Sequence, residues 1–373
     1  MENINPPFYI RFAFIIIGII GFAYIMYVGQ DIMIPLLFAA LIAILINPFC
    51  QFLERKTKLR ILSIFISVFL TFLITAGVLY FLADQMAHFS EALPQLKQNF
   101  SKLLNDTITW VSGRFNIDTV KINRWIAEQK DEGLSKSTQL LGQTLTAISS
   151  IVVIVLLLPV YIFLFLFYKP LLLSFIAQLF SAEKHKVVAE VLSETKTLIQ
   201  SYLVGLMVEA GIVAALNASA LLILGIDYAI LVGIIGALLN VIPYIGGLVA
   251  VAIPIALALA TKEPIYALWV LIAYLLVQFI DNNLIVPKIV ASKVKINALI
   301  SIIVVLVGGA FWGVPGMFLS LPLAAILKVI FDRIQELKPW GFLIGDTMPP
   351  IGQNFFRIRK SNSKNQITTP TEK

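Results

Sequence analysis

Glu209 is the residue that first demands a chemical account. It stands near the middle of an apolar run, Tyr202 to Leu224, where a carboxylate costs roughly 2.5 to 3.5 kcal/mol on insertion scales. A carboxyl kept there is a candidate proton or cation carrier. The competing reading is a carboxyl bonded to neighbouring backbone or to Asn217, two turns further along. The densest polar group is Gln278, Asp281, Asn282 and Asn283, just before Val286-Pro287-Lys288. Gln278, Asp281 and Asn282 fall on one helical face at three- and four-residue spacing. That face suits either the wall of a hydrophilic cavity or a helix-ending cap with Lys288 as charge partner.

Two further stretches are broken by proline and glycine. The first runs Asn240-Val241-Ile242-Pro243-Tyr244-Ile245-Gly246-Gly247 between the apolar limbs Ile230 to Leu239 and Leu248 to Ala260. The second is Gly308-Gly309-Ala310-Phe311-Trp312-Gly313-Val314-Pro315-Gly316, between Leu299 to Val307 and Met317 to Ile330. Each unit carries a later proline, Pro254 and Pro322. Ten apolar helical residues reach only about 15 Å against a hydrocarbon core of about 30 Å, so each unit reads as a re-entrant hairpin or broken helix. Irregular backbone at that depth is tolerated only where protein or a watery cavity satisfies its polar groups. Paired broken segments are therefore a pointer to a transport site. Asn240, Pro243, Tyr244 and Gly246 mark the first tip, where half-helix N-termini offer N–H groups to an oxygen-rich ligand. A plain helix kink is the other reading.

The elements that must position these groups are membrane segments. Of 373 residues, 59% are apolar and 13% charged, against about 25% charged in an average soluble domain. The 26 Phe and a mean hydropathy of +0.91 exclude a disordered chain. The expected class is an all-α polytopic membrane protein with about eight membrane segments, two of them re-entrant hairpins. Phe8 to Val28 reads as an uncleaved first span and Ile32 to Phe49 as the second. The loop carrying Arg55, Lys56, Lys58 and Arg60 is the densest short basic loop, which the positive-inside rule places in the cytoplasm. Leu59 to Ala83 and Ile148 to Tyr168 then leave residues 84–143 on the outside, with seven basic residues balancing seven acidic ones. Charge parity places both chain termini in the cytoplasm.

Within 84–143, Met86, Phe89, Leu93, Leu96, Phe100 and Leu103 form the stripe of an amphipathic helix. Packing on its own hairpin partner around Val111 to Trp125 is preferred over a subunit contact. Ser181 and Glu183 open a helix that runs along the surface into the next span. The regions are thus 1–83, three spans; 84–143, the outer insert; 144–200, the fourth span and surface helix; 201–335, the core with broken helices; and 336–373, a polar tail. Cys50 stands alone, so no intrachain disulfide forms. The sequence holds no G-x-S-x-G, no H-E-x-x-H and no phosphate-binding glycine loop. No enzyme activity, metal site, cofactor or nucleic-acid partner is expected.

These residues carry a resemblance. Tyr202, Gly205 and Gly211, the run Ile242-Pro243-Tyr244-Ile245-Gly246, Asp281-Asn282 with Pro287-Lys288, and Gly308-Gly309, Gly313, Gly316 and Pro322 together resemble the autoinducer-2 exporter family of bacterial membrane proteins, the PerM-like permeases. The chain departs from it at Leu206, where the family often has Gln, at Gly247, often Pro, and at Asn297-Ala298, often His-Pro. The resemblance implies eight membrane segments in the bacterial inner membrane, a homo-oligomer, a pentamer, and export of a small polar solute by an elevator-like motion. Sodium or lithium/proton antiport is the alternative it carries. A membrane scaffold that binds a partner through 84–143 is a third reading.

Overall fold

A computed structural model describes residues 7–115, 157–242, 246–291 and 295–348. Among them the chain is helical, and its one β-type contact is an isolated bridge between Ile296 and Gly345. The helices are α1 (Phe8–Val28), α2 (Gln30–Thr57), α3 (Arg60–Phe115), α4 (Leu157–Phe167), α5 (Lys169–Gln178), α6 (His185–Ile223), α7 (Ala229–Asn240), α8 (Gly246–Thr261) and α9 (Pro264–Ile280). Two π-helical turns follow, Asp281–Ile285 and Pro287–Ala291, then α10 (Ala298–Arg333) and α11 (Lys338–Ile344). Five of the described helical stretches are long and apolar enough to cross a membrane, and α4 with α5, bent by 59°, makes a sixth if counted as one. The chain is an all-α, multi-pass membrane protein.

Why the helices pack as they do follows from small residues. A Cβ on Gly233 of α7 would come 2.7 Å from the backbone nitrogen of Ala218 on α6. Only a glycine lets those two backbones approach so closely, which is how membrane helices gain contact without a hydrophobic drive. Near the middle of α6, a Cβ on Gly205 would lie 2.8 Å from the Ile289 carbonyl, so the π-helical segment crosses α6 there.

The first broken unit is a hairpin: α7 and α8 lie side by side, and a Cβ on Gly246 would collide with the Leu239 carbonyl. Residues 243–245, including Pro243 and Tyr244, lie outside the described residues. The second unit is also a hairpin, although its helical hydrogen bonding is nearly continuous. Residues eight apart on a straight helix are separated by about 12 Å. Here Gly308 and Gly316 are packed backbone to backbone, and a Cβ on Gly309 would come 2.6 Å from Met317 Cε. The reversal occurs at Trp312 (φ −133°, ψ 16°) and Gly313 (φ 62°, ψ −143°). A positive φ at that point is open to glycine without a Cβ penalty, and Pro315 opens the returning limb.

The two hairpins enter from opposite ends of α6. The base of α7–α8 sits beside the C-terminal end of α6, where Ile226 and Ala229 pack with Leu221. The base of α10 is tied to the N-terminal end, where Arg333 pairs with Glu190 at 3.0 Å and Glu194 at 2.9 Å. Those ends are about 58 Å apart along 39 residues. The α10 tip reaches α1 and α2: Trp312 Nε1 donates to the Met26 carbonyl at 3.1 Å, and Phe318 stacks on Phe38 at 5.4 Å. Its base is closed by α11. Asn297 caps α10 by accepting from the Ile300 N–H, while its amide donates to the carbonyls of Leu343, Ile344 and Gly345. The terminal carbonyls of α11 thereby find a partner that the helix itself cannot supply.

Two residues of the outer stripe find cover on the core. α3 does not stop at residue 83; it is one rod of 56 residues, about 84 Å long. Phe89 and Leu96 rest against the Leu221–Ala229–Leu257 cluster at the base of the first hairpin. Phe89 meets Tyr228 edge-on at 5.2 Å, and Asn99 Nδ2 donates to the Ala260 carbonyl at 2.8 Å. Phe89 and Leu96 are thus half-buried on the core of the same chain, while Met86 is exposed. Most of the expected partner, from residue 116 on, lies outside the described residues, as do residues 148–156 of the fourth span and the tail from 349.

Gly316→Leu forces a side chain into the Gly308 carbonyl, and overpacking of this kind costs about 1–3 kcal/mol. Gly211, whose Cβ position meets nothing within 4 Å, tolerates Ala. Thermal unfolding of detergent-purified protein is expected to show a clear fall in Tm for Gly316→Leu and none for Gly211→Ala; equal Tm values would refute the hairpin.

Candidate functional site

A cavity of about 680 Å³ lies between α6, the tip of the first hairpin, α9 with its π-helical extension, and the base of the second hairpin. α6 contributes Tyr202, Leu206 and Glu209; the first hairpin contributes Asn240, Val241, Gly247 and Val251. α9 supplies Leu271, Tyr274, Leu275 and Gln278, followed by Asp281, Asn282 and Val286. Lys295, Ile296, Ala298, Ser301 and Leu321 complete the wall.

The chemistry is concentrated where α7 ends and α9 changes pitch. Asn240 closes α7, so its side chain lies beside the interrupted backbone. Its Nδ2 donates to Asp281 Oδ2 at 2.8 Å, and Gln278 Nε2 donates to Asn240 Oδ1 at 3.4 Å. Gly247 makes room for that amide, since a Cβ there would come 2.9 Å from Gln278 Oε1. Asp281 is 1% exposed, yet its Oδ1 has no hydrogen-bond partner among the described residues. The π-helical turn that begins at Asp281 is the irregularity that re-aims this end of α9. Glu209, 7% exposed, faces the same cavity within electrostatic reach of Asp281. Two carboxyl groups on one mostly apolar cavity are a costly arrangement. A ligand that donates hydrogen bonds or carries positive charge offsets that cost.

The sequence-selected residues separate into three groups. Glu209, Asn240, Gln278, Asp281 and Asn282 come together on the cavity. Asn217 is buried away from the cavity wall, with its Oδ1 unpartnered among the described residues; its Nδ2 lies 3.4 Å from the Cβ position of Gly236. It is about 12 Å from Glu209 along the helix, too far to bond it. Asn283 points elsewhere, donating to the Phe279 carbonyl at 2.8 Å. Pro287 starts the second π-helical turn, and Gly246 closes the first hairpin. Gly308, Gly309, Gly313, Pro315, Gly316 and Pro322 build the second hairpin but do not line the cavity, whose contact with that hairpin is at its base. Pro243 and Tyr244 lie outside the described residues.

Tyr274, Lys295 and Ser301 were not selected from the sequence. Tyr274 precedes Gln278 by four residues and Asp281 by seven, so extending the same helical face backwards would have found it. Its hydroxyl is buried without a partner among the described residues. Ser301 and Lys295 carry no such local signal.

Truncating Asn240 to Ala leaves the buried Asp281 carboxyl without its donor, a loss of about 1–3 kcal/mol. In a double-mutant cycle of Asn240→Ala with Asp281→Ala, read by thermal unfolding, the second substitution is expected to cost much less once the first is present. Additive losses would show that the two side chains do not interact.

Comparison with known proteins agrees with this architecture. The family model described as "AI-2E family transporter" matches residues 12–336. The AI-2 transport protein TqsA of Escherichia coli (strain K12) is 27% identical over 327 residues, covering 85% of this chain and 90% of its own. YueF of Bacillus subtilis (strain 168), which carries a transport-protein name, is 27% identical over 318 residues, covering 81% of this chain and 84% of its own. YrrI of the same strain is 25% identical over 320 residues, covering 83% and 88%. With broken helices around a cavity that carries buried polar groups and a family match over most of its length, the chain belongs to the AI-2E transporter family.

Proposed function

We propose that this chain is a secondary transporter that exports a small polar solute, an autoinducer-2-like signalling molecule, by elevator-like alternating access. It does so in the bacterial inner membrane, with both termini cytoplasmic, as a homo-oligomer. The observation that carries the reading is the Gln278–Asn240–Asp281 relay, set at the break of a re-entrant hairpin on a cavity large enough for a small solute. The name of TqsA, an AI-2 transport protein, supports the solute class.

Each part has a task in this reading. Asn240, Gln278, Asp281 and Asn282 orient the solute's hydroxyl groups, and the apolar wall of Leu206, Val251, Leu271 and Leu275 keeps bulk water from the contact. The tightly packed α6–α7–α8–α9 group, joined to the second hairpin, moves as the carrier unit. The α2–α3–α4 cluster around Ala39, Ile64 and Ile162 is the stationary part. Glu209 is the coupling group. A hairpin tip that slides past a fixed scaffold alternates access without exposing unpaired backbone to lipid.

A second reading, monovalent cation/proton antiport, is favoured by Glu209 and Asp281 sharing one cavity. The same liposome preparation separates the two. Under an imposed proton gradient, autoinducer-2 flux is expected to dissipate the gradient, and flux that tracks sodium or lithium instead selects the antiporter. Glu209→Gln is expected to abolish proton-coupled flux while leaving the thermal unfolding profile intact. Full coupled flux in that variant would remove Glu209 from the mechanism.

A further inference from the structure

The cavity's hydrogen-bonding groups are unevenly spent, and that imbalance defines what it accepts. Gln278 and Asn240 each direct an N–H along the relay towards Asp281. What remains buried and unpartnered on its wall, among the described residues, is Asp281 Oδ1, an acceptor, and the Tyr274 hydroxyl, which can donate or accept. Asp281 Oδ2 already accepts the Asn240 amide. Glu209 adds a second acidic group on the same wall. Among the described lining residues one cationic side chain stands against these, Lys295, and it is exposed where the two acids are buried. Charge in a buried, low-dielectric position acts more strongly than charge screened by solvent.

We propose that this cavity selects solutes that donate hydrogen bonds and carry no negative charge, neutral polyols or small cations, and rejects anionic solutes such as sugar phosphates, with Asp281 as the specificity-determining residue. The inference deepens the transport reading by naming its substrate class. A solute hydroxyl or ammonium completes Asp281 Oδ1, which nothing in the described protein does. A phosphate placed there faces two buried acidic groups with no arginine among the lining residues to pair with it, and the only helix N-termini that reach the described wall are those at Gly247 and Ala298.

The test reads the cavity's charge directly and needs no knowledge of the solute. Cys50 is the single cysteine and is buried, so a Cys50→Ala background carrying Ser301→Cys places one thiol on the cavity wall. Full-length protein in detergent is reacted with a cationic (trimethylammonium) and an anionic (sulfonate) methanethiosulfonate, each rate normalised to that with free 2-mercaptoethanol. The cationic reagent is expected to react about tenfold faster. Asp281→Asn should bring the ratio to within about threefold of unity, and Lys295→Gln should raise it. Ribose should slow the labelling, and ribose 5-phosphate at equal concentration should not. A ratio near one with Asp281 intact, or stronger protection by the phosphate, overturns the proposal. If Asp281→Asn does not fold, Glu209→Gln must lower the ratio instead, and an unchanged ratio also overturns it. Because the readout is a labelling rate, failed export with an intact charge preference refutes the transport reading alone.

Discussion

A helix that stops partway through hydrocarbon leaves backbone N–H and carbonyl groups with no water to bond, and every other feature of this molecule answers to that constraint. At the first break polar side chains gather: Asn240, the last residue of α7, bonds side chain to side chain with Asp281 and Gln278 of the neighbouring segment. At the second break the answer is steric. Gly308 and Gly316 let the two limbs of α10 close on each other, and the Trp312–Gly313 reversal is anchored on the Met26 carbonyl. One hairpin therefore brings polar side chains into the interior while the other brings almost none, which is why the cavity forms at the tip of the first and the base of the second.

The same division explains what local sequence could and could not disclose. Phe8–Val28 was bounded from its apolar run alone, and the limbs of the first hairpin fell within two residues of their expected ends. The polar face of Gln278, Asp281 and Asn282 was legible because three- and four-residue spacing survives up to the π-helical turn. Tyr274 was missed because a tyrosine in an apolar run reads as core until its hydroxyl is known to lack a partner. The glycines of the second hairpin were grouped with the cavity because they break the chain, whereas their contacts are with each other. Which surface covers a helix stripe is a long-range fact, and the Phe89–Tyr228 and Asn99–Ala260 contacts join residues 139 and 161 positions apart. No periodicity within 84–143 encodes that.

Base closure and cavity shape are linked at residues 295–298. Lys295, with φ 47°, and Ile296 lead directly into Asn297, whose amide is held by three carbonyls of the α11 end. Ile296 and Ala298, on either side of that anchor, both line the cavity. Part of the wall is thus set by the helix that follows the second hairpin.

The uninterrupted course of α3 has a mechanical meaning. Its first turns sit in the α2–α4 cluster through Ile64 and Val68, and its distal half grips the foot of the first hairpin through Phe89, Leu96 and Asn99. Its 56 residues are one continuous helix with Pro94 inside it, between Phe89 and Leu96, so the rod ties the two clusters together. Any displacement of the hairpin foot would have to swing the far end of α3, bend it at the proline or shear the contacts at its root.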